Sequence, residues 1–368
     1  MQMKKTIIFF FSVLLIFGQQ YLYSQKKSPA QKQQLIDWSD TFDPNKPGKF
    51  TAPKKLPLIS VKGNSFVNQQ GDTVIFRGLA IADPDKLEQE GRWSKVIFEQ
   101  IKTCGATIVR IPIHPVAWKM RTPQKYLELL DQAVEWCTEL NMYVIIDWHS
   151  IGNLGMELFQ DPMYNTTKKE TYEFWRIIAI HFQGNNTTAF YELFNEPTIN
   201  NGKLGRMSWT EWKEINENII YLIRAIDREK IPLVAGLDWA YDLTPLHIEP
   251  IEAEGIAYVT HPYPHKRKPP FEPKWDEAFG FAKEQYPVFA TEFGCILGDH
   301  GIADNEEYAN KIISYFDEHQ ISWCAWVFDP DWYPRLLESW EPMKLTGSGE
   351  FFKKVMLERL NQSETHQK

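Results

Sequence analysis

Two glutamates end apolar stretches that predict β-strands. Glu196 ends a run of small and aromatic residues that begins at Thr188, and Pro197 stops this run because proline cannot extend the interior of a sheet. Glu292 ends a second apolar run, Pro287–Glu292. Each run therefore places a carboxylate at the C-terminal end of a predicted strand.

A pair of carboxyl groups held in this way suits the cleavage of a glycosidic bond. One group delivers a proton to the leaving oxygen, and the other faces the developing oxocarbenium carbon. Where the two groups lie roughly 5–5.5 Å apart, the second is a nucleophile and the configuration is retained. Their pKa values must differ, so one needs apolar surroundings or a neighbouring negative charge and the other needs a cation or hydrogen-bond donors.

Other predicted strands also end in residues that could serve such a reaction. Arg110 could supply the cation and Tyr263 a hydroxyl donor to the nucleophile, while Asn195 could bind the 2-hydroxyl of the sugar. The full set of supporting candidates is Arg110, His149, Asn195, His261, Tyr263 and Trp326. Taken singly, these histidines are more often structural and this tryptophan more often belongs to a core. The set as a whole favours a site.

Several further residues near the same predicted rim are balanced between sugar stacking and packing. These weaker candidates are His114, Trp118, Trp148, Trp239 and Trp332. Asp147 could be a third carboxylate in the pocket, and we expect it to be structural support.

The elements that must position these residues alternate along the chain as short apolar runs and amphipathic stretches. Such alternation is typical of βα units and a parallel sheet. The predicted strands lie near 74–81, 106–113, 142–148, 188–194, 232–237, 256–261, 287–292 and 321–327. The predicted helices lie near 94–103, 123–139, 168–182, 208–229, 273–284, 305–318 and 348–360. The link 238–255 has the weakest helical pattern of the set. Eight strands predict an α/β fold, a (β/α)8 TIM barrel, with a small N-terminal β-hairpin from residue 58 that could plug its bottom.

The ends of the chain differ from this pattern. Lys4 and Lys5 precede a short apolar run, so residues 1–24 predict a signal peptide and hence export to the periplasm or the extracellular space. A retained membrane anchor is the less favoured alternative. Residues 25–57 predict an arm or linker, residues 58–360 the catalytic barrel, and residues 361–368 a tail.

Composition excludes some classes of function. The net charge is −8 without a basic stripe, which argues against a nucleic-acid partner. The 14 Trp, 15 Tyr and 23 Phe suit sugar faces as well as a core. The four cysteines lack metal spacing and predict buried apolar positions, although a pair could oxidise after export. We expect no cofactor, no metal and no obligate protein partner.

The ordered set of rim residues resembles glycoside hydrolase family 5, the clan A retaining glycosidases. The resemblance covers about residues 58–358. It implies that Glu196 is the acid/base and Glu292 the nucleophile. It also implies that Arg110 positions the nucleophile, that His261 and Tyr263 line the same centre, that His149 and Asn195 contact the sugar in the −1 subsite, and that Trp326 is the stacking platform of that subsite.

One stretch of the sequence also bears on the substrate. The stretch from Val144 to His149 is similar to cellulase members of the family, which favours an endo-β-1,4-glucanase acting on a β-linked polysaccharide or oligosaccharide. A β-mannanase remains an alternative, because these motifs do not read the one hydroxyl whose orientation distinguishes mannan from glucan. An exo-acting β-glycosidase is another, since residues 202–207 or 264–273 could close one end of a cleft. A barrel that only binds carbohydrate is the alternative from another class.

Overall fold

The computed structural model describes residues 43, 45–50, 55–198, 204–299 and 301–366. The chain divides into two units, Met1–Asp43 and Pro44–Lys368, and the second contains every described helix and strand. The predicted signal peptide and most of the predicted arm lie outside the described residues. Within the described part, no helix combines the length and the apolar character needed to cross a membrane.

Fifteen strands are present in the described chain. In chain order they are β1 (Ser60–Lys62), β2 (Ser65–Val67), β3 (Arg77–Ile81), β4 (Ile108–Ile113), β5 (Tyr143–Trp148), β6 (Ile151–Asn153), β7 (Leu158–Phe159), β8 (Phe190–Glu192), β9 (Glu196–Pro197), β10 (Ile231–Ala235), β11 (Ala257–Val259), β12 (Val288–Phe293), β13 (Ser322–Phe328), β14 (Leu337–Ser339) and β15 (Lys344–Leu345). The helices are α1 (Pro84–Gln89), α2 (Lys95–Thr103), α3 (Pro115–Arg121), α4 (Pro123–Glu139), α5 (Lys168–His181), α6 (Trp209–Ile226), α7 (Glu272–Ala278), α8 (Glu306–Glu318) and α9 (Gly347–His366).

Eight of the strands close into a barrel in the order β3-β4-β5-β8-β10-β11-β12-β13. Every pair of neighbours is parallel, and β13 returns to β3. Because each strand follows the previous one around the ring, the C-terminal ends of all eight meet at one rim. The predicted TIM barrel is confirmed, with all eight predicted strands present.

The predicted helices are also present, and their boundaries follow local signals. Ser208 and Glu211 form the expected capping box at the start of α6. The stretch 273–284 is divided into α7 and a 3-10 turn, Gly280–Glu284. The short helices α1 and α3 were not predicted, although each begins with a proline, which is favoured at the first helical position.

The predicted hairpin is formed by β1 and β2, and it fills the bottom of the barrel. Phe66 on β2 is buried against Phe76, Phe190 and Phe289, with ring centroids 6.0, 5.1 and 5.9 Å away. These rings belong to the core cluster that the first residues of the barrel strands line. The hairpin therefore closes the N-terminal end and leaves the opposite rim for the site.

Large aromatic residues fill the layer between the sheet and the helices. Trp175 on α5 donates from Nε1 to the carbonyl of Leu193 at 3.0 Å, and Trp212 on α6 donates to the carbonyl of Ala235 at 2.8 Å. Both carbonyls lie at the C-terminal ends of barrel strands, so these helices fix the rim from outside. All four cysteines are buried and free, as expected for small apolar residues.

A small sheet beside the rim was not predicted. It has the order β7-β6-β9, and β9 contains Glu196 itself. Ile151 pairs in parallel with Glu196, and the amide of Glu196 donates to the carbonyl of Ser150 at 3.1 Å. The small sheet therefore holds the backbone of Glu196 in place.

Candidate active site

Arg110 stands on β4 inside the barrel and is fully buried. Its guanidinium forms a bidentate pair with Glu192 at 2.8 and 3.0 Å, and Nη1 donates to Glu292 at 2.8 Å. Nη2 also lies 3.0 Å from the carboxylate of Asp147 and donates to Asn195 at 2.6 Å. Such a fork matches carboxylates in fixed geometry, so one cation orients three acids and the amide.

Glu292 on β12 receives two donors. Arg110 donates to Oε2, and the hydroxyl of Tyr263 donates to Oε1 at 2.8 Å. Burial raises the pKa of the Glu292 carboxyl above its ordinary value, and Glu196 adds to this rise. Arg110, His261 and the Tyr263 hydroxyl each lower the pKa and offset part of that rise.

Glu196 is linked to Glu192 through a buried hydrogen-bond network that contains His261. Its Oε1 is 3.0 Å from Nδ1 of His261, whose Nε2 is 3.0 Å from the hydroxyl of Thr291. Thr291 in turn donates to Glu192 at 2.8 Å. Burial lowers the pKa of His261, but the hydrogen bonds of Glu192 and Glu196 outweigh it and raise this pKa to about 8.

The two candidate catalytic carboxylates approach one another closely. An oxygen of Glu196, an oxygen of Glu292 and a ring nitrogen of His261 all lie within 4.8 Å of each other. Inverting glycosidases separate their carboxyl groups by roughly 6.5–9.5 Å to admit a water, whereas retaining enzymes use roughly 5–5.5 Å. The geometry here belongs to the shorter class.

Three further side chains, those of His149, Asp147 and Asn195, lie around the two candidate catalytic carboxylates. Nδ1 of His149 lies 2.6 Å from Asp147, which orients this ring. Burial lowers the pKa of His149 well below its ordinary value, with His114 and Arg110 adding to the effect, so the imidazole is neutral at pH 7. Asn195 accepts from Arg110 through its oxygen, and its buried Nδ2 contacts no acceptor in the described chain. That amide group therefore remains available as a hydrogen-bond donor.

An aromatic wall stands beside these groups. Trp326 stacks on the ring of His149 at 5.2 Å and an angle of 3°, and Trp332 lies 5.8 Å from Trp326 at 12°. His114 meets both His149 and Trp332 edge to face, at 4.9 and 5.5 Å. Asp83 fixes His114 by accepting from its amide and lying 2.8 Å from its Nδ1. Flat faces of this kind suit sugar rings.

Trp239 belongs to a left-handed turn on the other side of the rim. Asp238, Trp239 and Ala240 have φ of 57°, 54° and 58°. Left-handed conformation costs L-residues about 1–2 kcal/mol each, and non-glycine residues normally visit it singly. The half-buried indole donates from Nε1 to Gln160 at 2.9 Å. This turn and a 3-10 helix, Thr244–His247, stand in place of the weak helix expected between residues 238 and 255.

Two weaker candidates are core residues rather than sugar platforms. Trp148 is buried, stacks on Phe174 at 4.0 Å and donates to the hydroxyl of Thr171. Trp118 is buried against Phe174 and Tyr126. Side chains of a strand alternate between two faces, and that of Trp148 on β5 lies on the face toward the helices. Trp118 lies on the face of α3 that packs against the core.

Sequence reasoning missed Glu192 and Thr291. Burial raises the pKa of Glu192, but Arg110 and His261 outweigh it and hold this pKa at about 2. The available signal for Glu192 was its charge inside an apolar strand, because such a charge needs a partner such as the arginine inside another strand. For Thr291 no local signal exists, because threonine is ordinary in strands.

The chain is similar to several known proteins. The family model described as cellulase (glycosyl hydrolase family 5) matches residues 67–331. The chain belongs to glycosyl hydrolase family 5. This family 5 chain is 26% identical over 296 residues to endoglucanase E-5 of Thermobifida fusca, covering 77% of this chain and 58% of that protein. It is also similar to endoglucanase A of Butyrivibrio fibrisolvens, of which it covers 59%. The family 5 chain thus spans less than two thirds of the length of these relatives.

Solved structures extend the family 5 comparison. The native β-glucanase of Saccharophagus degradans is 45% identical, with a TM-score of 0.84, and the match covers 88% of this chain and all of that one. The same enzyme in complex with cellotetraose matches with a TM-score of 0.83.

Proposed function

We propose that this chain is a retaining endo-β-1,4-glucanase with Glu196 as acid/base and Glu292 as nucleophile. The observation that carries the proposal is the approach of the two carboxylates to within 4.8 Å. At that distance both can act on one glycosidic bond, and the separation is shorter than the roughly 6.5–9.5 Å by which inverting enzymes admit a water.

In the first step, Glu292 attacks the anomeric carbon and Glu196 donates its proton to the leaving oxygen. Tyr263 and Arg110 orient the attacking carboxylate through both of its oxygens. Asn195 would contact the 2-hydroxyl, and this contact strengthens in the transition state. Each donor is placed before the reaction begins, so little reorganisation is required.

In the second step, Glu196 takes a proton from water, and the water oxygen displaces Glu292 from the anomeric carbon. Glu196 must therefore be protonated in one step and ionised in the next. The contact between its Oε1 and His261 Nδ1 keeps the carboxyl group in one place through both steps.

The names of the relatives support a β-glucan as the substrate. The two curated relatives are called endoglucanases, and the β-glucanase of Saccharophagus degradans was solved with cellotetraose. The parallel rings of Trp326 and Trp332 offer faces to a flat, equatorially linked chain.

The test is hydrolysis of carboxymethylcellulose against β-mannan, with the anomer of the first product followed by proton NMR. We expect activity on the glucan and a β product. The variant Glu292→Gln should abolish turnover, and the exposed Glu284→Gln should leave it unchanged. Activity on mannan alone overturns the substrate, and an α product overturns the roles of the two glutamates.

We also propose that the chain is exported, on the basis of Lys4, Lys5 and the apolar run after them. Fractionation of the producing cell and N-terminal sequencing of the mature protein test this proposal. An uncleaved chain in the cytoplasm would contradict it.

A further inference from the structure

The left-handed turn Asp238–Ala240 is stabilised by a lysine that the proposed reaction does not use. Nζ of Lys266 donates to the carbonyl of Asp238 at 2.6 Å and lies 3.6 Å from the carboxylate of the same residue. It also stands 5.0 Å from the centre of the Trp239 ring, within the range of a cation–π contact. One ammonium group therefore contacts the backbone, the carboxylate and the indole of this turn.

This turn lies on the side of the cleft that Glu196 occupies. The segment Leu237–Ala240 packs directly against β9, which contains Glu196. Gln160, which accepts from the Trp239 indole, donates its backbone amide to the carbonyl of Ile151, and Ile151 pairs with Glu196. Burial lowers the pKa of Lys266, and the charge of Glu196 is among the groups that oppose this effect.

An acid donates its proton to the oxygen of the departing sugar, so the sugar that contacts the Glu196 side is the leaving group. The wall of Trp326 and Trp332 stands beside His149 and His114 instead. The indole of Trp239 therefore lies on the side of the departing sugar, and its orientation depends on a turn that L-residues do not adopt readily.

Building on the proposed function, we propose that Lys266 is a positioning residue that holds Trp239 as a platform for the sugar on the leaving-group side. Lys266 does not contact the reacting atoms. It sets the affinity for the departing sugar and for any sugar that enters the same position afterwards.

The segment 262–266 connects this lysine to the proposed nucleophile, Glu292. The amide of Lys266 donates to the carbonyl of Tyr263, and the Tyr263 hydroxyl donates to Glu292. Pro262 and Pro264 flank Tyr263 and restrict this segment. This segment therefore places the Tyr263 hydroxyl against Glu292. It also places the Lys266 ammonium against Trp239, which lies beside Glu196.

Transfer of the glycosyl group to a sugar acceptor measures the proposed role of Lys266 separately from hydrolysis. After an aryl cellobioside has formed the glycosyl-enzyme, the hydroxyl of a cellobiose acceptor can replace water. The bond from the anomeric carbon to Glu292 breaks, a bond to the acceptor oxygen forms, and the hydroxyl proton passes to Glu196. The ratio of transfer to hydrolysis then reports binding on the leaving-group side alone.

The experiment compares wild type with Lys266→Met, which keeps the length of the side chain and removes its charge. We expect the transfer ratio and kcat/KM on cellotetraose to fall roughly tenfold, with a clearly smaller loss on the aryl cellobioside. Lys266→Arg keeps a cation and should retain most of the transfer. Lys311→Met is the matched control, since Lys311 lies 6.0 Å from the ring of Phe271 and pairs with two glutamates outside the cleft.

A double-mutant cycle makes the test specific. In a Trp239→Ala background, Lys266→Met should have little further effect on the ratio, because the lysine acts through the indole. Equal ratios for wild type, Lys266→Met and Lys266→Arg would overturn the inference and leave the proposed function intact. A wild type without activity on either substrate would instead refute the proposed function. Circular dichroism and thermal melting of each variant separate loss of fold from loss of positioning.

Discussion

Arg110 contacts three carboxylates that would otherwise repel one another in the barrel interior. Desolvation of these groups is expensive, and their mutual attraction to one guanidinium offsets it only while the geometry is complete. The same residue therefore links stability to the candidate chemistry. Positions around it should respond to substitution in both properties at once.

We expect Arg110→Ala to lower kcat/KM on the order of 10²-fold or more, because a misplaced nucleophile is expensive. It should also lower the free energy of unfolding by about 3–5 kcal/mol, since buried carboxylates lose their partner. Urea unfolding and steady-state kinetics measure the two effects. The control is Arg359→Ala, whose ion pair with Asp317 is about a quarter exposed and contributes about 0–1 kcal/mol. An unchanged rate would remove Arg110 from the site.

Glu196→Ala should separate substrates by their leaving groups. We expect a loss of roughly 10²–10⁴-fold on cellooligosaccharides, which need a proton on the leaving oxygen, and a smaller loss on activated aryl glycosides. Azide should restore turnover on the activated substrate and yield a β-glycosyl azide, because a small anion can enter where the carboxylate stood. Mass spectrometry identifies the product. Absence of rescue would count against the acid/base role.

His261 should make stability depend on pH in a defined window. Its folded pKa of about 8 lies above the ordinary 6.5, so its contribution is complete below pH 6.5 and disappears as pH rises through about 8. Urea unfolding of wild type and His261→Asn across this range measures the difference in unfolding free energy. The difference should decline between the two pKa values, and a flat difference would contradict the protonation of His261.

At the scale of elements, the barrel strand β12 supplies Glu292, while the small sheet β7-β6-β9 supplies Glu196 and fixes its backbone. Glu196 lies on β9, so its carboxylate depends on a hairpin that is not part of the barrel. Trp175 and Trp212 fix the neighbouring strand ends from the helix layer. The loops above a barrel therefore need their own hydrogen bonds to hold a catalytic group to within a fraction of an ångström.

Gly152→Ala tests this dependence. A Cβ at Gly152 would stand 2.5 Å from the carbonyl oxygen of Leu158, so β6 and β7 must separate. We expect kcat/KM to fall roughly 10–100-fold through displacement of Glu196. Gly155→Ala is the matched control, because there a Cβ would first meet the side-chain oxygen of Asn153, at 3.3 Å. Equal kinetics in the two variants would contradict a positioning role for the sheet.

At the scale of the whole molecule, the apolar hairpin and the candidate site lie at opposite ends of the barrel. The β1–β2 hairpin closes the N-terminal end with Phe66, and the C-terminal rim contains the buried cluster of Arg110, Glu192, Glu196 and Glu292. Such a division lets loops at the rim vary without opening the core. Substitutions in the hairpin should therefore change stability with little effect on the rate.

Phe66→Ala should lower the free energy of unfolding by about 3–5 kcal/mol, since it leaves a cavity among three aromatic rings. We expect kcat at 25 °C to remain at the wild-type value. Thermal melting and initial rates measure the two properties. Tyr221→Ala is the control, because its side chain is 79% exposed and should barely change stability. A parallel loss of kcat would contradict the separation.

The sequence by itself determined the order of the barrel strands, the hairpin beneath them, and Glu196 and Glu292 at two strand ends. These are local properties, since alternating apolar runs, a following proline and a capping pair such as Ser208 and Glu211 act over a few residues. Only the tertiary structure decided that Glu192 and Thr291 join the network, and that Trp118 and Trp148 pack in the core. It also decided the left-handed turn at Trp239, because the lysine that contacts Asp238 is 28 residues away along the chain. Contacts between distant residues overrode local preference at each of these positions.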